Sequence, residues 1–241
     1  MDQSAKDERD KKYNLWARKM PTIICLVFPF SIFMVIAFSQ DNITKDEMMW
    51  YMTKTIAWGG AVFTSLLFLM KAIIRDLSAI LADNVFFNKF YRHFMYQILL
   101  KKGKGISAAS YDKIVEYQKN KRGICIEDQG VDEEEKLKRV EDIVCNIKNM
   151  TRDDNIVFEY NCFYGFYRNL LGGSIISGFL VYVSSHMFNE FIARTNISIT
   201  DYLYPSICII FIISVIFMYY SDYKYAKKMY AAYLIHLDEI R

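Results

Sequence analysis

The stretch Asn155–Phe188, NIVFEYNCFYGFYRNLLGGSIISGFLVYVSSHMF, joins two kinds of helix in one run. Its first half is amphipathic and aromatic, with Glu159 and Arg168 set among the rings. From Leu170 to Phe188 there is no Asp, Glu, Lys or Arg, and no proline separates the two halves. At about 1.5 Å rise per residue, those 19 uncharged residues cover roughly 28 Å, the thickness of one bilayer core. A single helix that leaves water for an apolar solvent, with Arg168 as its last charge, is the simplest reading. It makes the chain a membrane protein.

Three other blocks repeat the pattern. Pro21–Ser39 and Tyr202–Tyr220 carry no formal charge. Thr55–Met70 is also uncharged and extends to Ile74 past Lys71, whose long stem can reach the headgroups. The 53% hydrophobic content is thus gathered into blocks rather than spread at the period of a soluble core. Pro21–Ser39 is too long for the apolar core of a signal peptide, and AFSQDNITKDE after it offers no small-residue cleavage site, so it reads as a retained first span.

Basic residues set the orientation. Residues 1–20 hold six Lys/Arg, 71–169 hold seventeen and 221–241 hold four, whereas 40–54 and 189–201 hold two and one. The flanks rich in Lys/Arg stay cytoplasmic. Both termini and the long middle segment are therefore expected inside a bacterial inner membrane, with two short loops outside. Asn42 and Asn196 head glycosylation-like triplets in those loops, but both loops hug the membrane and no glycan is expected. The middle segment's fifteen acidic residues nearly cancel its basic ones, which excludes a nucleic-acid groove. Cys25, Cys125, Cys145, Cys162 and Cys208 avoid the outer loops and lack zinc-ligand spacing, so neither disulfides nor a metal centre is expected.

The expected fold is all-α: four transmembrane helices as two hairpins, with a cytoplasmic helical stalk and cap between spans 2 and 3. The parts are a cytoplasmic N-terminal segment (1–20), a first hairpin (21–74), a cytoplasmic helical domain (75–169), a second hairpin (170–220) and a C-terminal amphipathic helix (221–241). Pro21 suits a first helical turn. Pro29 lies inside its span, where the backbone group it frees needs a partner from a neighbouring helix. In the middle segment Leu77, Ile80 or Leu81, and Val85, then Phe87, Phe90 or Tyr91, Phe94 and Ile98, recur at helical spacing; this helix continues the second span or restarts after Asp83-Asn84, and Gly103 and Gly105 end it. Ser107 caps the next. The run from Asp132 to Met150 buries Leu137, Val140, Val144 and Ile147. Thr151 and Asp154 read as a capping box for the helix at 155. Tyr219, Tyr223, Tyr230 and Tyr233 give the tail an apolar face that leans on the stalk or lies along the bilayer.

No nucleophile, phosphate-loop or metal motif is present: Gly103-Lys104-Gly105 is too short for a phosphate loop, and Asp132–Glu135 reads as an acidic helix start. The chain is not expected to be an enzyme or to hold a cofactor. Glu159, Arg168, His186 and Lys71 remain as candidate gate or membrane-interface residues. Gly59, Gly60, Gly173, Ser174 and Gly178 are candidate helix-packing residues, read as contacts among the chain's own spans in preference to a seam between copies.

This span order and cytoplasmic segment resemble the small four-span effector proteins of bacterial nucleotide-signalling antiphage systems of the CBASS kind. The resemblance implies an oligomeric effector or channel in which a cytoplasmic helical domain senses a nucleotide signal or a protein and perturbs the membrane. The alternative is a non-conducting membrane anchor or scaffold that docks a cytoplasmic protein.

Overall fold

The computed structural model describes residues 3–38, 67–87, 93–126, 132–187 and 199–239. Most of the expected second span (55–66), Gly59 and Gly60, and most of both outer loops with Asn42 and Asn196 lie outside these. Among the described residues the regular structure is all helical. The helices are α1 (Gln3–Tyr13), α2 (Met20–Phe38), α3 (67–80), α4 (Phe94–Leu100), α5 (Ala108–Arg122), α6 (Glu133–Met150), α7 (Asn155–Met187) and α8 (Ile199–Glu239). A π-helical turn, Asn14–Lys19, joins α1 to α2, and another, Leu81–Phe86, follows α3. Among the described residues, three helical stretches are long and apolar enough to cross a membrane: Ser4–Ile32, Asn155–Met187 and Asp201–Glu239.

The chain forms two compact units. One comprises Asp7–Leu81 and Gly165–Ile216; the other comprises Met1–Lys6, Ala82–Tyr164 and Phe217–Arg241.

In the first unit α2 packs on α7 along a stripe of every fourth residue: Gly165, Asn169, Gly173 and Ser177. A Cβ on Gly165 would stand 2.9 Å from the Cβ of Ala17, and one on Gly173 would stand 2.6 Å from Cys25 Sγ. The backbones approach because these positions lack side chains. Gly172 faces Ser78 and the Ile74 carbonyl of α3. Gly178 lies against Ile207 of α8, beside a small cluster of Ile32, Val181 and Ile207. Ser174 is buried and its hydroxyl donates to Leu171 O at 2.7 Å. Ile209, Ile212, Ile213 and Ile216 of α8 are exposed, as lipid-facing residues are.

The prolines explain the polar members of the stripe. In an α-helix, proline cannot donate to the carbonyl four residues earlier. For Pro29 that is Cys25 O, which accepts the Ser177 hydroxyl at 2.7 Å. For Pro21 it is Ala17 O, which accepts Asn169 Nδ2 at 2.5 Å. The expectation of a first-turn Pro21 is corrected: helical structure begins at Gln3, and Pro21 stands just past a π turn that already loosens the ladder.

In the second unit α4, α5, α6 and α8 surround one core. Ile98 and Leu99 meet Ile114, Val140, Ile143, Val144 and Ile147, with Met229, Tyr230 and Tyr233 inserted from α8. The tail therefore packs among the helices of this unit. Tyr230 O–H donates to Met95 O at 2.5 Å, and Gln118 Nε2 donates to the Tyr233 hydroxyl at 2.7 Å. Ser107 and Asp132 cap α5 and α6 by accepting from Ser110 N and Glu135 N, and Gly123 ends α5 at φ 67°. The cap of α7 is Asp154, which accepts from Val157 N at 2.9 Å. Thr151 instead donates to Ile147 O of the preceding helix, so the expected capping box does not form. The expected apolar face after α3 also shifts. Ile80, at the end of α3, is exposed, and so is Val85, inside the π turn closed by Phe87 N–H to Ala82 O at 2.8 Å; Phe87 is buried, as its place on that face requires.

The proline pairing has a measurable signature. Ser177→Ala should lower stability in mixed micelles by about 1 kcal/mol, the range for interhelical hydrogen bonds in lipid. In a Pro29→Ala background, where Cys25 O regains an N–H donor of its own helix, most of that cost should vanish. A double-mutant cycle by reversible unfolding measures the coupling, and additive effects would refute the pairing.

Candidate functional site

The candidate residues named from sequence do not converge. Glu159 is exposed and belongs to one unit, whereas half-buried Arg168 belongs to the other. His186 is exposed and stacks on Tyr182, ring centroids 6.4 Å apart. Lys71 Nζ reaches Asn14 Oδ1 at 3.4 Å and lies over the Phe68 ring. Gly173, Ser174 and Gly178 serve the packing described above. Asp132–Glu135 supply a cap and two pairs along α6, Glu134 with Lys138 and Glu135 with Arg139. Among the described residues no group of His, Cys, Asp and Glu is disposed to hold a metal.

A different constellation is assembled in the helical unit. Asp222 of α8 is fully buried. One of its oxygens accepts Phe94 N–H at 2.9 Å, which caps the first turn of α4 from another helix. The other lies 3.2 Å from His93 Nδ1. His93 Nε2 in turn lies 3.3 Å from Asp83 Oδ1, at the π turn. Phe87 stacks on the imidazole with centroids 4.0 Å apart, and Tyr164 of α7 meets it edge-on at 6.0 Å. Tyr219, one turn before Asp222, tilts against Phe87 at 4.9 Å and donates its hydroxyl to Phe86 O at 2.5 Å.

The electrostatics follow from the surroundings. Burial by itself favours neutral imidazole. Hydrogen bonds and charge from Asp222 and Asp83 outweigh it and raise the His93 pKa above 6.5. Lys148 of α6 feels the same Asp222. Burial lowers its pKa and the carboxylate partly offsets the fall. His93 thus lies between two carboxylates, and such pairing is the condition for tolerating charge in a core.

Beside this cluster is a cavity of about 800 Å³. Its walls are the rings of Phe86, Phe87, Phe94, Tyr219 and Tyr223; Gln97, Lys101, Lys104 and Gly105 complete it. Phe87 therefore touches the imidazole and the cavity, and Phe94 supplies the capped N–H and a cavity wall.

Sequence reading passed over the cluster, yet one signal was present. Met218, Asp222, Ala226 and Tyr230 recur every four residues of α8 and all are buried. A carboxylate on such a stripe must have a partner in the core. The partner, 129 residues away in the chain, carries no local mark.

No protein-family model, curated protein or solved structure matches the chain. Fold and site define the class: an all-helical protein with apolar helices long enough to cross a membrane and a second helical unit built around a buried ionic cluster.

The raised His93 pKa fixes a sign. Stabilisation from the charged imidazole is complete below about pH 6.5 and is lost as pH rises through the higher folded value. The melting midpoint of the full chain in detergent should therefore fall as pH is raised from 6.5, and His93→Gln should remove that component. Asp222→Asn should destabilise at every pH by about 1–3 kcal/mol, since it weakens a buried charge-assisted cap. A His93→Gln profile identical to wild type would overturn the assignment.

Proposed function

We propose that the chain is an integral inner-membrane effector or channel of the four-span, two-hairpin kind, oligomeric, with both termini in the cytoplasm. Its helical unit senses a cytoplasmic signal and the apolar helices answer by perturbing the bilayer, in a setting such as antiphage defence. The observation that carries this reading is the composition of α8. One 41-residue helix holds both an exposed isoleucine-rich run and the buried carboxylate that ties down α4. Residues of α7 and α8 belong to both units, so a change in head packing and a change in span packing act on the same helices.

The sensing side rests on the cluster and cavity. A buried His–Asp pair holds α4 to α8 through few, directional contacts, and such contacts give a packed unit two discrete arrangements rather than a continuum. The membrane side rests on the uncharged runs and on the Lys/Arg excess of the segments assigned to the cytoplasm.

Two measurements test this. Reporter fusions at the two ends should both read cytoplasmic. Expression with the native neighbouring genes, with a potential-sensitive dye as readout, should show depolarisation that Asp222→Ala changes. Unchanged potential under every condition, with a soluble protein co-purifying at fixed stoichiometry, would replace this reading with a non-conducting anchor.

A further inference from the structure

The turn that closes α4 is the run Lys101–Gly105, KKGKG, whose glycines are too closely spaced for a phosphate loop of known length. In the folded chain Lys102, Gly103 and Gly105 take φ of 50°, 82° and 119°. Gly103 is buried, and a Cβ there would stand 2.8 Å from Tyr111. The turn is thus fixed against α5. It sets the side chains of Lys101 and Lys104 at the cavity whose walls include Phe94, Tyr219 and Tyr223. Phe94 and Tyr223 meet edge to face at 5.3 Å. Among the described residues neither lysine has an ion-pair partner, and both are exposed at the cavity's edge. The C-terminal dipole of α4 accounts for a lysine at 101, but Lys104 lies beyond the last helical turn, where that field has faded.

Rings on several sides and two cations on one edge fit a particular kind of molecule. Aromatic walls take a flat ring by stacking, whatever its hydrogen-bonding edge. Ammonium groups take a phosphate as point charges, without the planar geometry that arginine imposes. About 800 Å³ lies within the usual range for small-molecule sites. We propose that this cavity binds an aromatic phosphate of mononucleotide size, its ring among Phe94, Tyr219 and Tyr223 and its phosphate at Lys101 and Lys104. The proposal deepens the effector reading by naming the ligand class of its sensing unit. It rests on that reading for the consequence of binding but not for binding itself. Phe87 carries the link, since it lines the cavity and stacks on His93.

The test uses the full chain in detergent, with equilibrium dialysis against adenosine 5′-monophosphate, adenosine and inorganic phosphate. The monophosphate should saturate one site and bind at least tenfold more tightly than either part alone. Lys101→Gln with Lys104→Gln should weaken the monophosphate tenfold or more and leave adenosine unchanged. Tyr223→Leu should weaken both. An unchanged melting midpoint without ligand shows that the lysine variant is folded. Absence of saturable monophosphate binding would overturn the site, as would binding that the double lysine variant retains. Displacement of the nucleotide by a short-chain phosphatidylglycerol that binds more tightly would also overturn it, in favour of a lipid-headgroup site. Nucleotide binding without any effect on membrane potential would leave this site standing and remove the effector reading. Depolarisation without nucleotide binding would do the reverse.

Discussion

Proline removes one N–H from a helix, and in a bilayer the carbonyl left behind has no water to turn to. Pro29 frees the carbonyl of Cys25 inside the uncharged run, and Pro21 frees that of Ala17, eight residues earlier in the π turn before α2; both accept from α7. Asn169 and Ser177, also eight apart, deliver their side chains to Ala17 O and Cys25 O. Equal spacing in the same sense requires the two helices to run parallel at this contact. Gly165 and Gly173 complete the stripe by letting the backbones close to the distance at which an amide or hydroxyl can reach across. One unmet carbonyl in hydrocarbon costs several kcal/mol. The register of α2 on α7 is therefore fixed by polar contacts, and the apolar residues beside them follow.

The helical unit meets the same constraint with charge. Asp222 is without solvent contact, and a carboxylate so placed is tolerable only when each oxygen is engaged. The capped amide of Phe94 and the ring of His93 do this. Because the helix-capping oxygen and the imidazole-bound oxygen belong to one group, the start of α4, the imidazole and α8 are held as a set. Removing any partner leaves a buried charge or an orphan amide, which makes the arrangement closer to all-or-none than a purely apolar seam would be.

Much of this was legible in the sequence, and the misses share a cause. Absence of charge over 19 residues needs no tertiary knowledge, and the apolar runs of α2, α7 and α8 were read from it. The need of Pro29 for a donor on another helix was legible too, since it follows from the missing N–H. Which donor answers was not: Ser177 is one of four serines on that run, and a period of four fits Ser174 and Gly178 as well as Gly173 and Ser177. The choice depends on which face of α7 turns to α2. Thr151 and Asp154 both suit a helix cap, and the tie is decided by Ile147 O, which takes the threonine hydroxyl. His93 and Asp222 became a pair only when α4 and α8 were brought side by side.

The π turns show why face prediction fails where it does. Asn14–Lys19 precedes the uncharged run from Pro21, and Leu81–Phe86 follows the apolar stretch that continues past Lys71 to Ile74. Each lies beside an apolar run. A face chosen to pack in lipid need not be the face wanted in a water-exposed core, and one inserted residue rotates everything after it by about 100°. Val85, inside the second of these turns, is accordingly exposed although it lies on the expected apolar face. No such turn breaks α7 or α8. In α8 the stripe of Ile207, Ser214, Met218, Asp222, Ala226, Tyr230, Tyr233 and Leu237 stays buried from end to end. A helix that keeps one face throughout can carry a rotation or a shift along its length, whereas a helix with a register change absorbs it.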